Sequence, residues 1–204
     1  MNAVQDGLTA RIMQEGRSAL LMQAVVNLLI RKDLIDAGRL DAVRREIDTR
    51  QPMLGARLAA RAWTDDRFRD LLLTDAKQAV FDELGIRISQ GPEFVVVENT
   101  PDRHHVIVCT LCSCYPKAVL GLPPEWYKSF AYRSRMVIEP RAILRKFGTE
   151  LPENTEIRVM DSTADMRYMV LPLRPPGTSH LTTDELAALV SRDDLIGVTV
   201  PGAP

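Results

Sequence analysis

The sequence predicts an α+β fold in which helices come first and short strands with interspersed helices follow. Apolar residues before residue 85 recur at the three- and four-residue spacing of amphipathic helices. After Gly91-Pro92, short β-branched runs separated by turn residues are typical of strands. We expect an N-terminal helical arm over residues 1–53 and a body over residues 54–204.

Two helices are predicted in the arm. Residues 17–31 are apolar over more than half of a helical circumference, and residues 38–48 carry a single apolar stripe. The stripe consists of Leu40, Val43 and Ile47. These faces suit packing on each other or on a partner protein. Pro52 is expected to end the helical pattern, with the body beginning near Gly55.

The first part of the body is predicted to hold two consecutive helices, over residues 66–73 and 74–84. Thr74 is the expected N-cap of the second helix because its hydroxyl can accept a hydrogen bond from an amide of the first turn. Gly85 is the expected C-terminal stop.

The predicted strands cover residues 94–97, 105–108, 157–160, 168–171 and 196–200. The first two flank a turn at residues 99–102, which predicts a β-hairpin. The second strand of that hairpin runs directly into the cysteines of the chain.

The remaining predicted elements are short. Pro and Gly residues between 116 and 124 predict a loop. Pro140 opens a helix that Gly148 closes. A capping-box spacing at Thr182 begins the last helix, over residues 184–191.

The charge balance excludes one broad class of function. The chain has 204 residues with 26 basic and 27 acidic side chains and a net charge of −1, which argues against binding to nucleic acid. The apolar stretch over residues 24–30 is too short to span a bilayer. We expect a cytoplasmic protein with no membrane segment.

All three cysteines lie within six positions, in the run Cys109-Thr-Leu-Cys112-Ser-Cys114. Such a cluster is not a disulfide framework, because a bridge between Cys112 and Cys114 would close a strained loop. Three thiols are one ligand short of a zinc or iron–sulfur site, although His104 or His105 could supply a fourth ligand to zinc. A redox switch and inert thiols are further alternatives.

Another alternative uses the backbone. The sulfurs of Cys112 and Cys114, with the amide nitrogens of Ser113 and Cys114, can close adjacent chelate rings around one metal ion, and Cys109 can bind from below that plane. Deprotonated amides require a strongly Lewis-acidic ion, which favours trivalent cobalt or iron over zinc. The open sixth position could then activate water or a substrate.

Several segments beyond the cysteine run carry a family pattern between about residue 54 and residue 198. They include His104-His105, Tyr115-Pro116, Trp126-Tyr-Lys128, Tyr132-Arg-Ser-Arg135 and Arg167-Tyr-Met-Val-Leu-Pro172. Together with the cysteine run, these segments resemble the nitrile hydratase α subunit. The resemblance implies the layered α+β fold of that chain and an enzyme that hydrates a nitrile to the amide.

The resemblance also implies a metal and its ligands. Cys109 would be an axial thiolate, and Cys112, Ser113 and Cys114 would be equatorial ligands of a non-corrin Co(III). Thr110 is typical of the cobalt type rather than the iron, Fe(III), type. Cys112 would be oxidised to a sulfinic acid and Cys114 to a sulfenic acid, and the latter would serve as base or nucleophile beside Ser113.

Other implied features lie outside the loop. Gln90 would hydrogen-bond near the active-site water, and Arg167 would contact the β subunit, whose arginines stabilise the oxidised sulfurs. Asp161 and Asp165 fall where the family has acidic residues near the site, although an exposed turn also explains them. The chain would be half of a hetero-oligomeric enzyme that an activator protein loads with cobalt, and the arm over residues 1–53 would wrap the partner.

Lys117 departs from the family pattern. A tryptophan of the substrate pocket commonly stands there, so we expect either a pocket for a polar, heterocyclic or anionic substrate or a lysine that reaches solvent. Two relatives fit the departure. One is a nitrile hydratase of the toyocamycin type, whose partner is divided into two chains, and the other is the γ subunit of thiocyanate hydrolase. A non-catalytic thiol module that binds metal or senses redox state is an alternative of a different class.

Overall fold

The computed structural model describes residues 20–48, 50–88, 91–111 and 114–202, with the side chains of residues 44–48 excepted. Its internal contacts divide the chain into two units, residues 1–48 and 49–204. The first unit contains α1 (20–31) and α2 (Ala37–Asp48), so both predicted helices of the arm are confirmed. The predicted start of α1 at residue 17 and the side chain of Ile47 lie outside the described residues.

The first unit presents apolar surface. The exposed apolar side chains of α1 are Leu20, Leu21, Met22, Val25 and Leu28. Asp36 begins α2 by accepting a hydrogen bond from the Arg39 amide at 2.6 Å, because a carboxylate at this position satisfies an amide that has no partner within the helix.

Three helices begin the second unit: α3 (Pro52–Thr64), α4 (Asp66–Thr74) and α5 (Ala76–Leu84). The helical pattern of the arm is broken before Pro52, as predicted, since α2 ends at Asp48. Pro52 itself opens α3, because a proline in the first turn has no amide hydrogen to satisfy. Thr74 is not the N-cap of α5, since it is the last residue of α4. The Asp75 carboxylate accepts the Gln78 amide instead, at 3.0 Å. Gly85 ends α5 in the left-handed conformation, as predicted.

The strands are β1 (Glu93–Glu98), β2 (Arg103–Val108), β3 (Glu156–Asp161) and β4 (Met166–Leu171). They form two parallel pairs, β1 with β4 and β2 with β3. The predicted hairpin between the first two strands is wrong, and an isolated bridge between Thr100 and Arg103 closes the turn there. Because β2 is buried over almost its whole length, it suits a covered parallel pair better than a hairpin with one solvated face.

The remaining helices are α6 (Lys117–Leu120), α7 (Glu125–Lys128), α8 (Phe130–Ile138), α9 (Pro140–Lys146), α10 (Thr183–Ala188) and α11 (Arg192–Ile196). The loop predicted over 116–124 is therefore partly helical. Pro140 opens α9, and Thr182 caps α10 with the predicted box. The strand predicted over 196–200 is wrong, because α11 occupies its start and no strand follows up to residue 202.

The core of the second unit surrounds α3, which packs against α4, α6 and α10. Its fully buried side chains include Leu58, Leu72, Val106, Met169 and Leu186, and burying a side chain of this size contributes roughly 1.5–3 kcal/mol. The strands are fixed by this core, so the residues that follow β2 and β3 have fixed positions. No helix in the described part of the chain is long and apolar enough to cross a bilayer.

Candidate metal centre

The cysteine loop begins at the carboxyl end of β2. Strand β2 runs parallel to β3, with Val108 opposite Asp161, so the residues that follow the two strands emerge at one edge. Cys109 comes directly after β2 and is fully buried. The carbonyl of Val108 accepts a hydrogen bond from the Ser162 amide at 2.7 Å, which extends the pairing up to the first cysteine.

Thr110 is anchored by three hydrogen bonds. Its amide donates to Asp161 Oδ1 at 2.9 Å, and its hydroxyl donates to Asp161 Oδ2 at 2.6 Å. Arg133, on α8, donates from Nη1 to the Thr110 carbonyl at 3.2 Å. The backbone after Cys109 is therefore fixed from two sides, while the next side chain, Leu111, is 85% exposed.

Cys114, at the far end of the loop, is also buried. Its carbonyl accepts a hydrogen bond from the Tyr127 hydroxyl at 2.8 Å. Burial raises the pKa of Tyr127 far above its usual range, and its proximity to Cys109 and Cys114 raises this pKa further. The Tyr127 hydroxyl therefore holds the backbone at the far end of the loop.

An aromatic layer encloses this region. The Trp126 ring meets those of Tyr127, Tyr132 and Phe147 edge-on, with centroids 6.0, 4.8 and 4.8 Å away. Tyr132 donates its hydroxyl to the Ile107 carbonyl of β2 at 2.6 Å, and burial raises the pKa of Tyr132. The short helices α7 and α8 thus hold the end of β2 and keep water from it.

Cys112, Ser113 and Gln90 lie outside the described residues, and the roles predicted for them stay predictions. Among the residues that are described, no three His, Cys, Asp or Glu side chains converge as metal ligands would. The described part of the loop contributes two sulfurs, those of Cys109 and Cys114.

The two histidines that precede the loop have partners of their own. His104 Nε2 donates to the Gly197 carbonyl at 2.8 Å, and its Nδ1 accepts from Asn99 Nδ2 at 3.2 Å, a tautomer assigned from these partners. His105 Nδ1 faces Asn99 Oδ1 at 3.3 Å. Burial is the main cause that lowers the pKa of both histidines. Because both ring nitrogens of His104 are engaged, His104 is not available as a fourth zinc ligand.

Two buried hydroxyls near the loop have no hydrogen-bond partner among the described residues, Tyr115 Oη and Ser162 Oγ. Ser162 follows β3 and lies near Tyr127. A buried polar group without a partner costs free energy, so these hydroxyls indicate that a polar group belongs beside them. Two buried cysteine sulfurs at the two ends of one short loop fit a metal held by thiolates.

Lys117 and Arg167 line one cavity, together with Tyr115. The cavity has a volume of about 230 Å³. Lys117 is the first residue of α6 and is exposed, whereas Arg167 lies in β4 and is half-buried. Arg167 donates from Nη1 to the carbonyls of Thr163 and Met166, so its guanidinium has a fixed position beside the loop.

No role is predicted from the sequence for Tyr127, Tyr132 or Arg133, although each lies in a segment that carries the family pattern. The signal that could have found them is the scarcity of aromatic residues, which make up 5% of the chain. Tyrosines that recur close after the cysteines in so aromatic-poor a chain are candidates for buried hydrogen-bond donors.

Comparison with known proteins identifies one family. Residues 16–199 match the family described as nitrile hydratase, alpha chain. The chain is similar to the low-molecular-weight cobalt-containing nitrile hydratase subunit alpha of Rhodococcus rhodochrous, with 49% identity over 91% of this chain and 90% of the relative. It is also similar to the thiocyanate hydrolase subunit gamma of Thiobacillus thioparus, with 41% identity over 89% and 79% of the two chains.

A solved structure shows the same likeness. A variant of the Fe-type nitrile hydratase from Comamonas testosteroni Ni1 superposes with a TM-score of 0.81 and 40% identity. The match covers 95% of this chain and 92% of that chain, so the α+β architecture extends across nearly all of both. The chain belongs to the nitrile hydratase α-chain family.

Proposed function

We propose that this chain is the metal-binding α subunit of a nitrile hydratase, which adds water to a nitrile to form the amide. The observation that carries the proposal is the Cys109–Cys114 run, whose two described cysteines are buried at the end of a parallel strand pair. Membership of the family and a cobalt-containing relative at 49% identity support it.

The metal would be a non-corrin Co(III) held by the sulfurs of Cys109, Cys112 and Cys114 and by the amide nitrogens of Ser113 and Cys114. Cobalt held there would supply Lewis acidity, which would activate bound water or a bound nitrile. The cobalt-containing relative favours this ion, and the Fe-type solved structure marks iron as the alternative.

The protein's own groups would orient the reaction and exclude bulk water. Asp161 and Arg133 hold Thr110, and Tyr127 holds the Cys114 carbonyl, so both ends of the loop are fixed before substrate arrives. Gln90 would position the attacking water, and Cys114, as a sulfenate, would accept its proton. In the balanced reaction one C–O bond forms, both protons of water end on the nitrile nitrogen, and nothing is oxidised or reduced.

We propose a β subunit as the obligate partner of this chain. That partner would be a single chain or would be divided into two chains. The arm over residues 1–53 would wrap that partner, since α1 exposes Leu20, Leu21 and Val25, and Arg167 would contact it. A separate activator protein would deliver cobalt. The assembled enzyme would act in the cytoplasm.

Thiocyanate hydrolysis is the second candidate function. It is favoured by Lys117, a cation in the cavity beside the loop, and by the 41% identity to a thiocyanate hydrolase subunit gamma. A thiol module without catalytic activity is the third, and it would bind zinc or oxidise reversibly.

Mass measurement of the tryptic peptide His104–Lys117 tests the proposed centre. The chain would be co-expressed with its partner and activator and digested without reductant. We expect a gain of three oxygen atoms, two on Cys112 and one on Cys114, because thiolates bound to this metal are oxidised to fixed products. An unmodified or disulfide-bonded peptide from fully metallated protein would falsify the hydratase-type centre and favour the thiol module.

A further inference from the structure

A cavity of about 230 Å³ opens next to the cysteine loop. Tyr115, which directly follows Cys114, is in its wall, and Lys117 follows two residues later. Phe94 and Arg167, from the paired strands β1 and β4, also line it. The cavity is thus continuous in sequence with the proposed metal ligands, which is where a substrate would have to lie.

The charged side chains that line this cavity are all positive. Arg50, Lys117 and Arg167 line it, and none of its described lining residues is acidic. Neither Lys117 nor Arg167 forms an ion pair with a described residue. The two carbonyls that accept from Arg167 Nη1 orient its guanidinium without neutralising it. A small cavity whose charged, described lining residues are all positive favours an anionic occupant.

The remaining wall is apolar. Phe94 and Val119 are buried and Ile88 is half-buried. The Tyr115 hydroxyl, which has no described partner, is one hydrogen-bond donor within this wall. An apolar surface beside cationic side chains favours a molecule with a hydrocarbon body and a negative charge over a strongly hydrated ion.

Building on the proposed hydratase function, we propose that this cavity selects anionic substrates that carry a cyano group, with Lys117 facing the negative charge. Two sources share that chemistry, an organic nitrile bearing a carboxylate and the thiocyanate ion. A volume of about 230 Å³ is several times that of one water molecule, about 30 Å³ in the liquid. The cavity therefore has room for an organic body.

The test compares two substrates of nearly equal shape, 4-cyanobenzoate and its neutral amide 4-cyanobenzamide, with thiocyanate as a third arm. The intact complex with its partner, loaded with cobalt, is assayed for kcat/KM, and the dissociation constants of the probes are measured by calorimetry. We expect the wild type to prefer the carboxylate over the amide. We expect Lys117→Met to reduce that preference roughly fivefold, the size of effect that an exposed ion pair can supply.

Two matched variants separate charge from shape. Lys117→Arg keeps the positive charge and should keep the preference. Lys128→Met removes an equal charge from α7, where Lys128 pairs with Glu125 at 2.8 Å and does not line the cavity, and it should leave the ratio unchanged.

The outcomes distinguish this inference from the proposed function. If both organic probes are hydrated with equal kcat/KM, and Lys117→Met leaves these values unchanged, anion selection is overturned and the proposed hydratase function is supported. Binding of 4-cyanobenzoate that Lys117→Met weakens, without hydration of either organic probe, supports anion selection and overturns the hydratase. Turnover of thiocyanate alone supports anion selection and identifies the inorganic ion as its source. If neither turnover nor charge-dependent binding is observed, both anion selection and the proposed hydratase function are overturned.

Discussion

Thr110 is held more firmly than any sequence pattern around it would indicate. Its amide, hydroxyl and carbonyl all have partners, two on Asp161 and one on Arg133. A carboxylate that accepts two hydrogen bonds from one residue fixes both the position and the direction of the backbone there. The geometry of the loop that follows Cys109 is therefore set by a side chain of β3.

Asp161→Asn should weaken this support. The amide that replaces the carboxylate retains one acceptor oxygen, so one of the two bonds from Thr110 is lost and the other loses its charge. We expect the free energy of unfolding to fall by about 1 kcal/mol and the fraction of His104–Lys117 peptides with three extra oxygens to fall with it. Urea unfolding and peptide mass measure the two effects.

Asp165→Asn is the matched control for that change. Asp165 lies in the turn between β3 and β4, four residues after Asp161, and is exposed. Its carboxylate makes no hydrogen bond to a described residue. This variant should behave as the wild type does. Equal losses in both variants would mean that net charge, rather than the anchoring of Thr110, controls the loop.

At the residue scale, a metal-binding loop could be predicted from the cysteines because their spacing is local in the sequence. The link between Thr110 and Asp161 could not be derived from the residues alone, since it spans 51 positions and depends on the parallel register of β2 with β3. The resemblance placed Asp161 near the site, but only the register shows that it binds the loop.

At the scale of elements, Gly197 joins α11 to β2. It ends α11 with a φ of 85°, and its carbonyl accepts the His104 Nε2 hydrogen. A Cβ at this position would lie 2.1 Å from the His105 carbonyl oxygen. The turn therefore needs glycine both for its backbone conformation and for its approach to the strand.

Gly197→Ala should be severely destabilising. The backbone oxygen that it meets cannot move without disturbing β2, so we expect a loss of more than about 3 kcal/mol, beyond the ~1–2 kcal/mol cost of a left-handed alanine. Gly148→Ala is the control, since its φ is 82° but its Cβ would have nothing within 4 Å. Thermal unfolding of both variants provides the measurement, and similar losses would remove the steric argument.

Helices with clear periodicity, such as α2, could be predicted from the sequence. The strand pairing could not, because alternation within β1 and β2 identifies strands without identifying their neighbours. The strand predicted over 196–200 failed for a related reason. Its β-branched residues indicate strand propensity without identifying a partner, and the amides of Val198 and Thr199 donate to the Asp193 carbonyl instead of to a strand.

At the scale of the whole molecule, acid is the expected weakness of the fold. His104 and His105 lie in buried β2, and burial lowers the pKa of each. The charges of Arg103 and Arg158 lower the pKa of His105 further. A proton on His104 Nδ1 would face the Asn99 Nδ2 donor, whose orientation is fixed because Asn99 Oδ1 accepts from the His105 amide.

The sign of the pH dependence follows from these pKa values. Below the unfolded pKa of about 6.5, the unfolded chain binds protons that the folded chain does not, so stability falls as the pH falls. We expect a slope of up to about 1.4 kcal/mol per pH unit for each histidine. Urea unfolding at several pH values between 7.5 and 5.5 measures it.

Two variants test whether the buried histidines cause that pH dependence of stability. His104→Gln should reduce it, whereas His180→Gln, which changes the third histidine of the chain, an exposed one, should not. A wild-type stability that stays constant across this pH range would contradict the assignment.

The parallel pairing of β2 with β3 also sets an order of events during synthesis. A ribosome makes the chain from its N-terminus, so all three thiols emerge before Asp161, which lies 51 residues after Thr110. Until β3 has left the exit tunnel, the nascent cysteines have no strand beside them and no carboxylate to shape their loop. If the proposed metal centre forms, insertion of its ion would have to wait until translation has passed β3.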